Sequence, residues 1–312
     1  MKRNSLFFFL CISLVLIALS TSGCSSNSKS QAAQSPSEAS IKNESNVEST
    51  SVKQGINNSQ NAEDRSTVNQ NSQVSTFSET SSASATEARQ RVETFPIIYY
   101  HSIKTIPNNE LGMPPEAFEE QISYLAKHGY HSVSSIQLYN YYYKNGSLPS
   151  RPIMITFDDG YMDNYTTALP ILKKYGFTAT VFLIVKKVGD PNCLTWKEVK
   201  ELDQEGWDIQ SHTLTHPDLT KISPNLLKEE LVDSKAILEK ELGKPIQFFA
   251  YPSGRHNDNV VQDVKNAGYL MAFSTLKGWT EKDMNPFLVH RIYCYASMGL
   301  TEFSRRVTNP QY

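Results

Sequence analysis

Residues 151 to 164 read RPIMITFDDGYMDN, an apolar run rich in β-branched residues that ends in two adjacent carboxylates and a glycine. A short apolar run bounded by turn residues reads as a buried strand. Asp158 and Asp159 sit where it stops. Neighbouring like charges resist desolvation unless a cation, a proton or a substrate makes them tolerable. Asp-Gly is also a common turn dipeptide, so a solvated turn is the plain alternative.

Outward from this stretch, short apolar runs alternate with helical periodicity from Pro96 to Tyr295. PIIYYH, PIMITF, ATVFLI, WDIQSH, PIQFFAYP and YLMAFS read as strands. PEAFEEQISYLAKHGY reads as a helix with Phe118, Ile122 and Leu125 on one face, and NYTTALPILKKYG as one ending at Gly176. A further helix starts at Thr195 and ends at Gly206, and the longest is opened by Ser223 and Pro224 and closed by Gly243. Repeated βα units imply a parallel sheet with helices outside, either a barrel or a doubly wound layer. In both, functional residues gather at the carboxyl ends of the strands. His101, the aspartate pair, the SH of WDIQSH and the YPSG stretch (251–254) all fall at such ends.

SHTLTHPDL places His212 and His216 four residues apart. Pro217 biases His216 away from helical geometry, so a tight loop is expected to present the two rings. No glutamate lies beside the first histidine, so a base must come from elsewhere. One carboxylate and two imidazoles would supply three ligands and leave a position for water, the arrangement of catalytic rather than structural zinc. Two histidines in a surface loop are the bland alternative.

TFDDG and SHTLTH together resemble the first two motifs of the polysaccharide deacetylases, the NodB-type carbohydrate esterases. The similarity runs from about Pro96 to Ile292. YYHSI, LPILKKYGFTATVFLI, LTWKEVKELDQEGWDIQSHTLTHPDL and FFAYPSGRHN resemble the subgroup that removes N-acetyl groups from extracellular N-acetylglucosamine polymers. The resemblance implies a distorted (β/α) barrel and a divalent metal, zinc foremost with cobalt, nickel or manganese as alternatives, held by Asp159, His212 and His216. It implies Asp158 as catalytic base, with a backbone N–H near Ser253 stabilising the oxyanion. Activity on O-acetyl glycan esters, or sugar binding without turnover, are the alternative functions.

This sequence departs from the family pattern in places. Ala250 stands where many members have a base-orienting arginine, and FSTLKGW lacks the fourth-motif aspartate. LVH (288–290) makes His290 a candidate general acid, whereas HRIY makes Arg291 the matched residue, as a substrate contact or as the missing arginine's substitute. His101 and Tyr251 are further candidates for substrate contact. Tyr139, Tyr141, Tyr142 and Tyr143 divide between core and sugar platform, and Trp196, Trp207 and Trp279 read as packing.

The ends bound the rest. Lys2 and Arg3 precede the apolar run LFFFLCISLVLIAL, and TSGC follows, so 1–23 reads as a signal peptide. The site resembles a bacterial lipobox with Cys24 as the lipid-bearing residue, although Thr21 stands where leucine is usual. Residues 24–93 are rich in Ser, Asn and Gln and read as a disordered tether, unable to bury enough apolar surface to offset ordering. Residues 94–312 would form the deacetylase domain that the resemblance implies, with a monomer expected. Placement follows as the outer face of a bacterial cytoplasmic membrane, with secretion as the alternative, and an N-acetylated polysaccharide as partner. The formal net charge is −2 and no basic run appears, which excludes nucleic acid. Cys193 and Cys294 could pair in an oxidising exterior, but spacing alone does not decide.

Overall fold

The computed structural model describes residues 93–312, so the signal peptide, Cys24 and nearly all of the tether lie outside the described residues. The first half runs β1 (Thr94–Phe95), β2 (Ile97–Tyr100), α1 (Pro115–Lys127), β3 (His131–Ser132), α2 (Ser135–Tyr143), β4 (Pro152–Asp159), α3 (Leu169–Lys174) and β5 (Thr180–Leu183). The second runs α4 (Trp196–Gln204), β6 (Asp208–Ser211), α5 (Pro224–Leu242), β7 (Phe248–Ala250), α6 (Asp258–Asn266), β8 (Met271–Phe273), β9 (Thr280–Glu281), β10 (Ile292–Tyr293) and α7 (Leu300–Thr308).

The main sheet orders its strands β10-β2-β4-β5-β6-β7-β8, and every pair is parallel. From β2 to β8 the spatial order follows the chain with no reversal, so the sheet is singly wound and not a doubly wound layer. Its two edges meet at one segment. Val289 bridges Phe273 of β8, and three residues later Ile292 and Tyr293 pair with Ile98 and Tyr99 of β2. That segment completes the distorted barrel.

β4 is buried on both faces, as a strand between a barrel interior and a helical jacket must be. Ile153, Ile155 and Phe157 face the helices, and Met154 faces inward with Phe182, Phe248, Met271, Phe273 and Val289. Each such side chain contributes roughly 1.5–3 kcal/mol on burial, so the interior is a packed plug rather than a channel. Thr156, Asp158 and Arg291 lie above it, towards the carboxyl ends.

Local chemistry sets the helix ends. The Thr195 side chain accepts from Lys197 N–H while Glu198 reaches back to Thr195 N–H. Ser223 caps α5 and Gly243 ends it at φ 66°. The stretch after β4 differs from the single helix expected there: Asn164–Ala168 form a π-helical turn before α3. Pro170 has no N–H to return to the preceding turn, which explains the irregular start. Also absent from the expectation is the antiparallel pairing of β1 with β9. Cys193 and Cys294 are both free thiols, the latter buried.

Candidate metal and acid-base site

Side chains alternate along a strand, so two adjacent aspartates should point to opposite faces. Asp158 continues the inward row of Met154 and Thr156. Asp159 falls on the outward row, but its φ of 75° and that of Gly160, 84°, turn the chain over the barrel rim. Aspartate tolerates this left-handed region better than most residues. Any other residue at Gly160 would be strained at this φ, and its Cβ would lie 2.3 Å from Leu183 Cδ1, which would have to move. Both carboxylates thereby open on the same mouth.

Asp158 is held by Arg291 through two parallel bonds, Nη1 to Oδ1 and Nη2 to Oδ2, each 2.8 Å. Arg291 Nε donates to the Ser274 carbonyl at 2.9 Å, and the guanidinium lies over the Tyr99 ring, 4.3 Å from its centre. Only 1% of Arg291 is exposed, so it orients Asp158 and has no surface to offer a sugar. Burial alone would raise the Asp158 pKa, but the Arg291 charge, then His212 and the Arg291 hydrogen bonds, outweigh it and hold the carboxyl at about 2.

His212 and His216 approach Asp159 from the loop after β6. Their Nε2 atoms lie 3.5 and 3.6 Å from Asp159 Oδ1, and one ligand atom from each of the three residues lies within 4.8 Å of the others. Ligands of a tetrahedral ion bound at 2.0–2.1 Å stand roughly 3.4 Å apart. Asp159 Oδ1 is buried with no hydrogen-bond partner. His212 Nδ1 donates to the Ala250 carbonyl at 2.8 Å, which leaves Nε2 with its lone pair towards Asp159. Burial lowers the His212 pKa despite the nearby aspartates and keeps the ring neutral, as a ligand must be. An orphaned anionic oxygen beside two imidazole nitrogens fits a divalent cation.

The histidine loop is itself constrained. Thr213 and His216 have φ of 70° and 65°, and a β-branched residue in that region is strained by roughly 1–3 kcal/mol. His216 N–H donates to Thr213 Oγ1 at 2.9 Å. Glu230 of α5, 2% exposed, accepts from Leu214 N–H at 2.9 Å, Thr215 N–H at 2.8 Å and Thr215 Oγ1 at 2.5 Å. The sequence reading missed Glu230, because a glutamate inside an amphipathic helix looks like an ordinary surface residue.

The remaining candidates separate by strand parity. His101 reaches the mouth: its Nδ1 is buried without a partner, and burial lowers its pKa against the pull of Asp158 and Asp159. Ser253 is exposed in the loop after β7 at φ 53°. Tyr251 is not brought to the mouth. It follows inward-facing Ala250, packs under the helices fully buried, and donates its hydroxyl to the Phe287 carbonyl at 3.0 Å. His290 is turned away too, since Val289, Arg291 and Tyr293 take the inward positions. A Cβ on Gly278 would lie 3.2 Å from His290 Nδ1, and the charge that His290 senses is Glu281. A cleft of about 790 Å³, lined by Ser102 next to His101 and by Tyr161 two residues after Asp159, runs along Ile103, Lys104, Ile106 and Thr166.

Comparison with known proteins agrees with this geometry. The family model described as polysaccharide deacetylase matches residues 145–272. The poly-beta-1,6-N-acetyl-D-glucosamine N-deacetylase of Staphylococcus aureus strain MSSA476 is 32% identical over 213 residues, 63% of this chain and 71% of that protein. The Streptococcus pyogenes deacetylase PplD, solved in complex with acetate, superposes with a TM-score of 0.65 at 32% identity, covering 69% of this chain and 98% of that one. A polysaccharide deacetylase from Bacillus cereus gives 0.63 at 30% identity, covering 69% of each chain. With the aspartate pair, the histidine loop and the curled parallel sheet in place, the chain belongs to the polysaccharide deacetylases and is a hydrolase of that family.

Proposed function

We propose that this enzyme removes N-acetyl groups from an N-acetylglucosamine-containing polysaccharide, releasing acetate, with Asp159, His212 and His216 holding a divalent ion, zinc foremost. The observation that carries this reading is the unpartnered Asp159 Oδ1 facing two imidazole nitrogens next to a carboxylate already fixed by Arg291. A bound ion supplies Lewis acidity towards the acetyl carbonyl and brings the pKa of water down to about 7.

The chain's own groups do the rest. Asp158, ionised at neutral pH, has lone pairs beyond those used by Arg291 and takes the proton of the water that attacks the acetamide carbonyl. The same carboxyl then passes that proton to the departing amine. Of His101 and His290, the histidines put forward besides the two expected ligands, His101 stands beside Asp158 and Asp159 with its ring only partly buried, so we assign it the polar contact to the acetamido group. The loop around Ser253 is assigned the backbone donor for the oxyanion. The adjoining cleft supports a polymeric substrate, as it extends well beyond the space of a single acetamido group.

The S. aureus relative's name specifies a β-1,6-linked N-acetylglucosamine polymer, which sets the choice of substrate for the test. Purified metal-loaded enzyme is expected to release acetate from β-1,6-linked N-acetylglucosamine oligomers and little from acetylxylan. The reverse preference would replace this reading with an O-acetyl esterase, and no release from either would leave a sugar-binding protein. The sequence around Cys24 supports attachment by lipid at the outer face of a bacterial membrane. Cys24→Ser should shift the protein from the membrane fraction to the medium, and an unchanged distribution would reject that placement.

A further inference from the structure

The turn after β4 carries two side chains that the acid-base scheme does not use. Asn164 is fully buried, and its Nδ2 donates to the His101 carbonyl at 2.8 Å. Asp163 accepts from Ser102 Oγ at 2.6 Å and from Ile103 N–H at 2.7 Å, and Asn164 Nδ2 also reaches Asp163 Oδ1 at 3.4 Å. Three consecutive residues at the carboxyl end of β2 are thus each bonded to this pair. The irregular π-helical turn that begins at Asn164 presents both side chains to β2.

His101 gives that arrangement a consequence. Its Nδ1 has no hydrogen-bond partner, and its ring meets Tyr99 and Tyr293 edge-on, with centres 5.9 and 6.0 Å away. Aromatic edges set a plane but leave the ring free to slide, whereas hydrogen bonds to the flanking backbone fix where it starts. From the opposite side the same loop is fastened by Glu110, whose carboxylate accepts from Ser297 N–H and Oγ, both at 3.0 Å. The far end of the loop is therefore held independently, and the Asp163–Asn164 pair acts on the end that bears His101.

We propose that Asp163 and Asn164 are positioning residues that clamp residues 101–103 and so set His101 against the acetamido group of the substrate. The kinetic part of this inference rests on the assignment of His101 given above; the clamp itself does not. A misplacement of about 1 Å can cost up to about 10²-fold in rate, so a backbone clamp remote from the bond being broken can control turnover.

The test uses full-length, metal-loaded enzyme carrying Asp163→Ala or Asp163→Asn, each with and without His101→Ala. The readouts are amide exchange at residues 102–103, metal content, and kcat and KM for N-acetylglucosamine oligomers. Asp163→Ala should speed exchange at Ile103, leave metal content unchanged and lower kcat/KM by roughly 10- to 10²-fold. Asp163→Asn keeps an oxygen for Ile103 N–H and should recover most of that loss. In the His101→Ala background, Asp163→Ala should cost nothing more. An equal loss with and without His101 would overturn the positioning role, as would exchange at Ile103 that does not change. If wild type releases no acetate from any oligomer, the substrate assignment and the positioning of His101 against it both fall, while exchange alone still decides whether Asp163 holds the loop.

Discussion

Asp158 and Asp159 share a peptide bond, yet the two halves of the site to which they belong are built on opposite principles. The strand-borne half is complete within the protein: Asp158 has both oxygens on Arg291, and Arg291 is further bonded to Ser274 and stacked on Tyr99. The loop-borne half is left incomplete. Asp159 Oδ1 has no donor, and His212 spends its only N–H on Ala250. A buried acceptor without a partner costs about 1–3 kcal/mol, so the loop half carries a deficit that a cation would remove. Stability is thus concentrated beside Asp158 and ligand affinity beside Asp159.

That contrast makes the two aspartates separable. Asp159→Asn should abolish metal retention and with it turnover, the largest effect expected, while the metal-free protein should lose little stability, because Oδ1 has no partner and Asn keeps an oxygen for the bond with Tyr161. Asp158→Asn should keep the metal and lose roughly 10²- to 10⁴-fold in rate, the usual contribution of a positioned general base. It should also destabilise the protein by about 3–5 kcal/mol, because Arg291 is left as an unpaired buried charge. Metal content, acetate-release rate and thermal midpoint measured on both variants decide the matter. Parallel losses of metal in the two, or an unchanged midpoint in Asp158→Asn, would erase the distinction between the halves.

The two halves were also unequally legible in the sequence. TFDDG and SHTLTH are compact and lie at the ends of strands that apolar periodicity makes plain, so a carboxylate and two imidazoles were legible as a candidate ligand set, and the family resemblance singled out Asp159 as the carboxylate. The partner of Asp158 is not legible in the same way. The family resemblance led to an orienting arginine being sought at Ala250, whereas Arg291 supplies the guanidinium from the other edge of the sheet, across a closure that only the fold reveals. Periodicity misleads there. Near the mouth the inward positions are polar and the outward ones pack under helices, so in HRIY the apolar Ile292 points out and the charged Arg291 points in. The same inversion places Tyr251 under the helices and turns His290 away. The π-helical turn at Asn164 escaped notice because Pro170 interrupts a pattern that otherwise reads as uninterrupted helix.

Glu230 offers a finer test of the contrast, with a smaller effect, because it touches neither metal ligand. Its carboxylate gathers three donors from residues 214 and 215, between the two histidines, and holds a loop whose Thr213 and His216 sit in the left-handed region. Glu230→Gln retains one acceptor oxygen and replaces the other with a donor that opposes the loop's N–H and O–H groups. The strained loop should then relax and move His216 away from Asp159. Loss of such an outer contact typically costs 10- to 100-fold in metal affinity, so the variant should release its ion to a weaker chelator. At saturating metal its kcat should return close to wild type, since Asp158 and Arg291 stand on separate strands and do not depend on this loop. A chelator competition titration beside acetate release at several metal concentrations checks both parts. Unchanged affinity would show that the loop holds its shape without Glu230, and a kcat that stays low at saturating metal would mean that the loop half and the strand half are mechanically coupled.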